Sequence, residues 1–195
     1  PGDPAQLLLK NPTAEKIAAN RQRLALAQAL AAQDVMFLKN VVGRGNVRID
    51  LGSGVPGLPN DLNVASCSLK RDLRITAQGG DDSALLEWTN LKGDVRIDFG
   101  GGSNVFRAEI SRARDLKYSG GAGDDVVSIV EGMLLTRDVQ VKVGDGPNEI
   151  YVTESGIGDD LRVAGGSGPD ILNVTAVVGG KTKIDLGGGL NFVQP

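Results

Sequence analysis

The chain has 195 residues, 41% of them hydrophobic and only 4% aromatic, with a net charge of −3 and no histidine. That length suits one domain with a core of Val, Leu, Ile and Ala, and the weak negative charge gives no bulk attraction to nucleic acid or to an anionic membrane. Lack of histidine excludes serine–histidine and cysteine–histidine catalysis within the chain, the single Cys67 excludes an internal disulfide, and no apolar run is long enough for membrane insertion.

Glycine is the outlier, at 28 residues, roughly twice the usual share. The glycines do not fall at every third position, so collagen is excluded.

The first 40 residues read differently from the rest. Asn11-Pro12-Thr13 is a helix start, with a capping side chain and then proline in the first turn. Ala14 to Ala32 is rich in Ala, Leu, Gln and Arg, all strong helix formers. We assign residues 1–40 to an N-terminal α-helical cap, interrupted near Asn20, which covers the open end of the domain that follows at 41–195.

That domain is a repeat. The phrase Val95-Arg96-Ile97-Asp98-Phe99-Gly100-Gly101-Gly102 has close copies starting at Val47 and Thr182, and looser ones starting at Leu73, Leu116, Val139 and Leu161. The copies are 21 to 23 residues apart once four extra residues, Val55 to Leu58, are set aside as a bulged loop. Before each turn the apolar positions alternate, as in Val95/Ile97/Phe99, and a second alternation such as Phe106/Ala108/Ile110 follows it. Period 2 means a strand with one buried side. Two strands and a corner therefore recur in each copy, with a third, less regular side after them.

A propeller blade needs about 40 residues, and no 3.6-residue pattern runs within the unit. The reading is all-β: a single-stranded, right-handed parallel β-helix, or solenoid, of about seven coils, with strands stacked in parallel ~4.8 Å apart. The last coil has no evident cap, which makes the C-terminal end a candidate contact for a homo-oligomer.

The turns carry the most suggestive chemistry. Gly120-Gly121-Ala122-Gly123-Asp124-Asp125-Val126-Val127-Ser128 and Gly165-Gly166-Ser167-Gly168-Pro169-Asp170-Ile171-Leu172-Asn173 both match G-G-x-G-x-D-x-U-x. Here the chain resembles the hemolysin-type (RTX) calcium-binding repeats of secreted bacterial proteins. The resemblance implies that Gly123, Asp125, Gly168 and Asp170 hold Ca²⁺ between coils. Only one such turn falls in each coil, and Asn104, Asn148 and Asn191 stand where Asp would be in alternate coils. Calcium prefers several carboxylates, whereas alternating Asp and Asn suits a hydrogen-bonded ladder. No cofactor is expected on that reading; Ca²⁺ is the alternative.

A second column, Asp72, Asp94, Asp115, Asp138 and Asp160, precedes the first strand of each coil, with Arg71, Arg114 and Arg137 beside it. An outward basic row follows at Arg48, Arg74, Arg96, Lys117, Arg162 and Lys183. It is a candidate strip for an anionic polymer. Interleaving with acidic residues favours a solvated face that pairs with itself.

Catalysis is not expected. The pectate lyase-like fold is also a parallel β-helix, but fold does not imply function. The carboxylate pairs Asp81/Asp82, Asp124/Asp125 and Asp159/Asp160 fall at repeated positions, whereas catalytic residues break a repeat. Trp88, Tyr118 and Tyr151 lie in different coils, Tyr118 at an inward position, and Cys67 reads as a core residue. Gly100-Gly101-Gly102 opens no helix and precedes no lysine, so nucleotide binding is unsupported. The expectation is a non-catalytic structural or adhesive domain of a secreted or cell-surface bacterial protein. Its partner would be a surface protein or a polysaccharide. The rivals are a calcium-binding RTX-like module and a carbohydrate-binding or carbohydrate-cleaving β-helix.

Overall fold

The computed structural model describes residues 24–26, 35–53 and 59–194. They form a parallel β-solenoid of about seven coils, with three parallel sheets of eight, eight and seven strands as its sides. The first side includes Val47–Asp50, Leu73–Thr76, Val95–Gly100, Leu116–Gly120, Val139–Gly144 and Leu161–Gly165. The second includes Asn60–Ala65, Asp82–Glu87, Val105–Glu109, Val126–Val130, Asn148–Val152 and Asp170–Val174.

Val95 pairs with Leu73 on one side and Leu116 on the other, and the column runs on through Val139 to Leu161. On the second side Phe106 pairs with Ala84 and Val127, Val127 with Ile150, and Ile150 with Leu172. Alternation within each strand sends these residues inward and their neighbours Arg96 and Asp98 out. Each inward Leu or Val removes apolar surface from water, worth about 1.5–3 kcal/mol, but only because the next coil covers it. Phe99, Phe106 and Tyr118 fill the middle of the core, with the Phe106 and Tyr118 rings stacked at 5.8 Å.

The third side is more regular than its sequence suggests. It is built of two-residue strands, including Ser68–Leu69, Asn90–Leu91, Arg112–Ala113, Leu134–Leu135 and Gly156–Ile157, each with one buried residue. The chain reaches it through a corner where a non-glycine residue takes a positive φ: Asn40, Ser66, Trp88, Ile110, Glu131 and Glu154. For β-branched Ile110, at φ 44°, this conformation is costly. Stacking holds it in place, since the Ile110 N–H donates to Glu131 O at 3.0 Å, and Ser66 N–H to Glu87 O at 3.1 Å. At four of these corners the next residue, Cys67, Thr89, Ser111 or Ser155, is buried and turns its donor to the carbonyl two residues before it. Thr89 Oγ1 donates to Glu87 O at 2.9 Å, and Ser155 Oγ to Thr153 O at 2.8 Å. Cys67 occupies the same column, buried, with its thiol directed at Leu38 O and Ala65 O.

Most of the predicted helix over 14–32 lies outside the described residues. The exception corrects it: Leu24–Leu26 is a strand, paired in parallel with Val47–Ile49. An open sheet edge offers a row of unpaired backbone groups, and pairing there overrides even strong helix formers, whose advantage is under about 1 kcal/mol per residue. The second side also begins before residue 41, with Val35–Lys39 paired to Asp61–Ala65. The loop at Val55 to Leu58 lies outside the described residues as well.

Candidate functional site

The turn from the first side to the second is built on glycine for two reasons. Gly102, Gly123, Gly146 and Gly168 all have φ between 111° and 144°, where side chains are strained. A Cβ on any of them would also strike the backbone carbonyl of the matching glycine one coil earlier. Coils can close to sheet spacing here only without a side chain.

Two residues further on, Asn60, Asp82, Asn104, Asp125, Asn148 and Asp170 stack in strict alternation, all buried. From Asp82 onward each Oδ1 accepts from the coil before it. The Asp82 N–H donates to Asn104 Oδ1 at 3.1 Å, Asp125 N–H to Asn148 Oδ1 at 3.0 Å, and Asp170 N–H to Asn191 Oδ1 at 2.9 Å. Each asparagine amide then donates to the next aspartate's Oδ1: Asn60 to Asp82 at 2.7 Å, Asn104 to Asp125 at 3.0 Å, Asn148 to Asp170 at 2.8 Å. The second amide hydrogen goes to the asparagine's own turn, at Gly102 O and Gly146 O.

The alternation extends into the strand before the turn. Asparagine coils carry a large buried residue there: Leu51, Phe99, Val143 and Leu186. Aspartate coils carry Ala77, Gly120 and Gly165. Pairing registers show the bulge, with an irregularity between Asp98 and Gly100 and another between Lys142 and Gly144. The missing side chains make room for carboxylates. Asp125 Oδ2 sits where a Cβ of Gly120 would be, and Asp170 Oδ2 where one of Gly165 would be. The structural repeat is thus two coils, a period visible in the sequence as Phe99/Val143/Leu186 against Ala77/Gly120/Gly165 and missed when coils are compared one by one.

This leaves three buried oxygens without a hydrogen-bond partner: Oδ2 of Asp82, Asp125 and Asp170. Burial pushes the Asp82 carboxyl up to about 6 against the Asn60 hydrogen bond, with the Asp81 charge adding to the rise. Burial also pushes Asp125 up to about 6, against the hydrogen bonds from Asn104. The Tyr118 hydroxyl lies close enough to Asp125 to be driven up by its charge as well as by burial. It too finds no hydrogen bond of normal geometry.

The proposed calcium ligands are not neighbours. Asp125 and Asp170 are separated by the coil of Asn148, and an asparagine amide already occupies the Oδ1 of each. Gly123 O and Gly168 O lie against Gly146 and Gly189 of the following coils. Among the described residues, no group of three or more Cys, Asp or Glu is placed to hold a metal ion.

On the first side the basic row is in register: Arg48–Arg74–Arg96–Lys117, then Gln140, then Arg162–Lys183. Arg96 reaches Asp94 at 2.9 Å and Asp72 at 4.0 Å, and Arg162 reaches Asp160 at 2.6 Å. Arg48, Arg74, Lys117 and Lys183 show no ion pair among the described residues. Arg114 binds Asp94 at 2.7 Å, and Arg137 lies 3.6 Å from Asp115. The acidic column is a second ladder: Asp94 N–H donates to Asp72 Oδ1 at 3.0 Å and Asp160 N–H to Asp138 Oδ1 at 3.1 Å.

Among the described residues no helix is long and apolar enough to cross a membrane. In the pairs Asp81/Asp82 and Asp124/Asp125, the second member is buried in the ladder. Trp88 is exposed at its corner, and Tyr151 sits on the second side with its hydroxyl on Glu149 at 2.8 Å. Comparisons with protein-family models, with characterised proteins and with solved structures find no match.

Proposed function

We propose that this chain is a non-catalytic, rigid repeat rod serving a structural or adhesive role in a secreted or cell-surface protein. One observation carries the reading: groups able to do chemistry are used up in joining coil to coil. Buried Asx side chains cross-link the turns, and Asp94, Asp115 and Asp160 are held by arginines. The partner on this reading is a surface protein or a polysaccharide, met by a flat sheet. The basic row, with four cations outside any ion pair among the described residues, would favour an anionic one.

Calcium is the second reading, favoured by the two Gly-Gly-x-Gly-x-Asp turns and opposed by the spacing of their aspartates. The test combines a polysaccharide panel with a chelator. The rod reading expects no new chain ends from any polysaccharide, and an unfolding midpoint unmoved by EDTA. Turnover that is lost in Asp159→Asn/Asp160→Asn would overturn the first half. A clear drop of the midpoint in EDTA would replace the second half with the calcium reading.

A further inference from the structure

We propose that the ladder holds two buried proton-binding sites, Asp82 and Asp125, whose carboxyls complete it as neutral acids with Oδ2–H turned toward a backbone carbonyl. Three observations lead there. Oδ1 of each already accepts an amide from the asparagine below. Oδ2 of each is buried with no partner. A Cβ built on Gly120 would lie 3.1 Å from Val143 O. The Asp125 oxygen filling that place therefore sits beside a carbonyl oxygen of the next coil.

Two bare acceptors side by side repel, and an unpaired buried charge is expensive. A hydrogen on Oδ2 turns the repulsion into a hydrogen bond. The asparagine coils show the same solution with nitrogen: their amides donate to Gly102 O, Gly146 O and, at 3.4 Å, Leu186 O. A cation is the other way to neutralise a carboxylate. The methyl-sized place left by Gly120 is already filled by the carboxyl oxygen itself, and Oδ2 is fully buried, so the ligand that fits is the proton.

The charged surroundings agree. Asp81 raises Asp82 and Asp124 raises Asp125; the Tyr118 hydroxyl, facing Asp125 from the core, works against the rise but does not outweigh burial. No arginine or lysine forms an ion pair with Asp82, Asp125 or Asp170 among the described residues. Asp82 and Asp125 are raised from 3.8 to about 6. Between those values the folded chain keeps protons that the unfolded chain releases, so stability falls as pH rises through this window and stays lower above it. Asp145 works the other way: hydrogen bonds from Ser167 hold its carboxyl below the usual range, so its contribution is lost as pH falls through that lowered value.

The experiment follows the side-chain carboxyl carbons of the full chain by ¹³C NMR from pH 3 to pH 8, alongside thermal unfolding of the wild type and of Asp82→Asn/Asp125→Asn. Asp82 and Asp125 should titrate near 6, apart from the exposed carboxylates. The wild-type midpoint should drop by about 5–10 °C from pH 4.5 to pH 7.5, and the double variant should lose most of that drop. Titration of Asp82 and Asp125 near 4 overturns the proposal, and this readout stands even if the double variant fails to fold. So does a calcium-dependent rise of the midpoint at pH 7.5 that the variant lacks.

Discussion

The molecule has two Asx ladders, one in the turn between the first two sides and one on the outer edge of the first. Both give the same service, a side-chain oxygen for a backbone N–H of an adjacent coil. They run in opposite directions: in the inner ladder the earlier coil donates, as from Asp82 N to Asn104 Oδ1, and in the outer the later coil does, as from Asp94 N to Asp72 Oδ1. Where water is excluded, no two carboxylates are adjacent and asparagine alternates with aspartate. Where water and arginine are at hand, aspartate follows aspartate for five coils. The backbone asks for the same oxygen in both places, and burial decides what charge it can carry.

The sharpest way to break the inner ladder is to force its coils apart. Gly123→Val adds a branched side chain at φ 134°, against the Gly102 carbonyl. It should cost about 4 kcal/mol or more, or abolish folding. Gly132→Ala is the control: its φ is 78° but nothing lies within 4 Å of the new Cβ. There the cost should be about 1 kcal/mol, that of the left-handed conformation alone. Urea unfolding of both variants separates steric closure from backbone conformation. Equal losses would mean that the close approach of the turns does not matter.

Removing one rung compares the ladders directly. Asn104→Ala leaves Asp82 N–H without its acceptor and Gly102 O without its donor, and reduces Asp125 Oδ1 to the 3.3 Å bond from the residue-104 N–H, all in a buried turn. It should cost about 2–4 kcal/mol. Asp72→Ala removes the acceptor for Asp94 N–H at a partly buried position, where the exposed Asp72 side chain leaves room for water to replace it, and should cost about 1 kcal/mol. Comparable losses in urea melts would erase the distinction between the ladders.

Much of this was legible in the sequence, because side-chain period and coil period are both simple. The inward columns at Val95, Leu116, Val139 and Leu161 follow from alternation alone, and the Asx column from its fixed distance after the turn glycine. Two features were not legible. The third side has one inward residue per coil, too few for a periodicity, and its corner uses Trp88, Ile110 and Glu131, residue types that carry no turn signal. The resemblance of 120–128 and 165–173 to calcium turns reads each turn alone. What the aspartates meet is set by the coils above and below, where asparagine takes the place of a second carboxylate.

The smallest expected effect lies in the outer ladder. Arg162 binds Asp160 at 2.6 Å while half exposed, and a pair of that kind adds little because water competes for both partners. Arg162→Ala should therefore move the unfolding midpoint by about a degree or less. At 1 M salt, where charges are screened within about 3 Å, the difference from wild type should shrink further. The pH response between 4.5 and 7.5 should not change, since it belongs to carboxyls on the other side of the coil. A variant that lost that response would show the two ladders to be one electrostatic system, coupled through the core, rather than two solutions to the same backbone need.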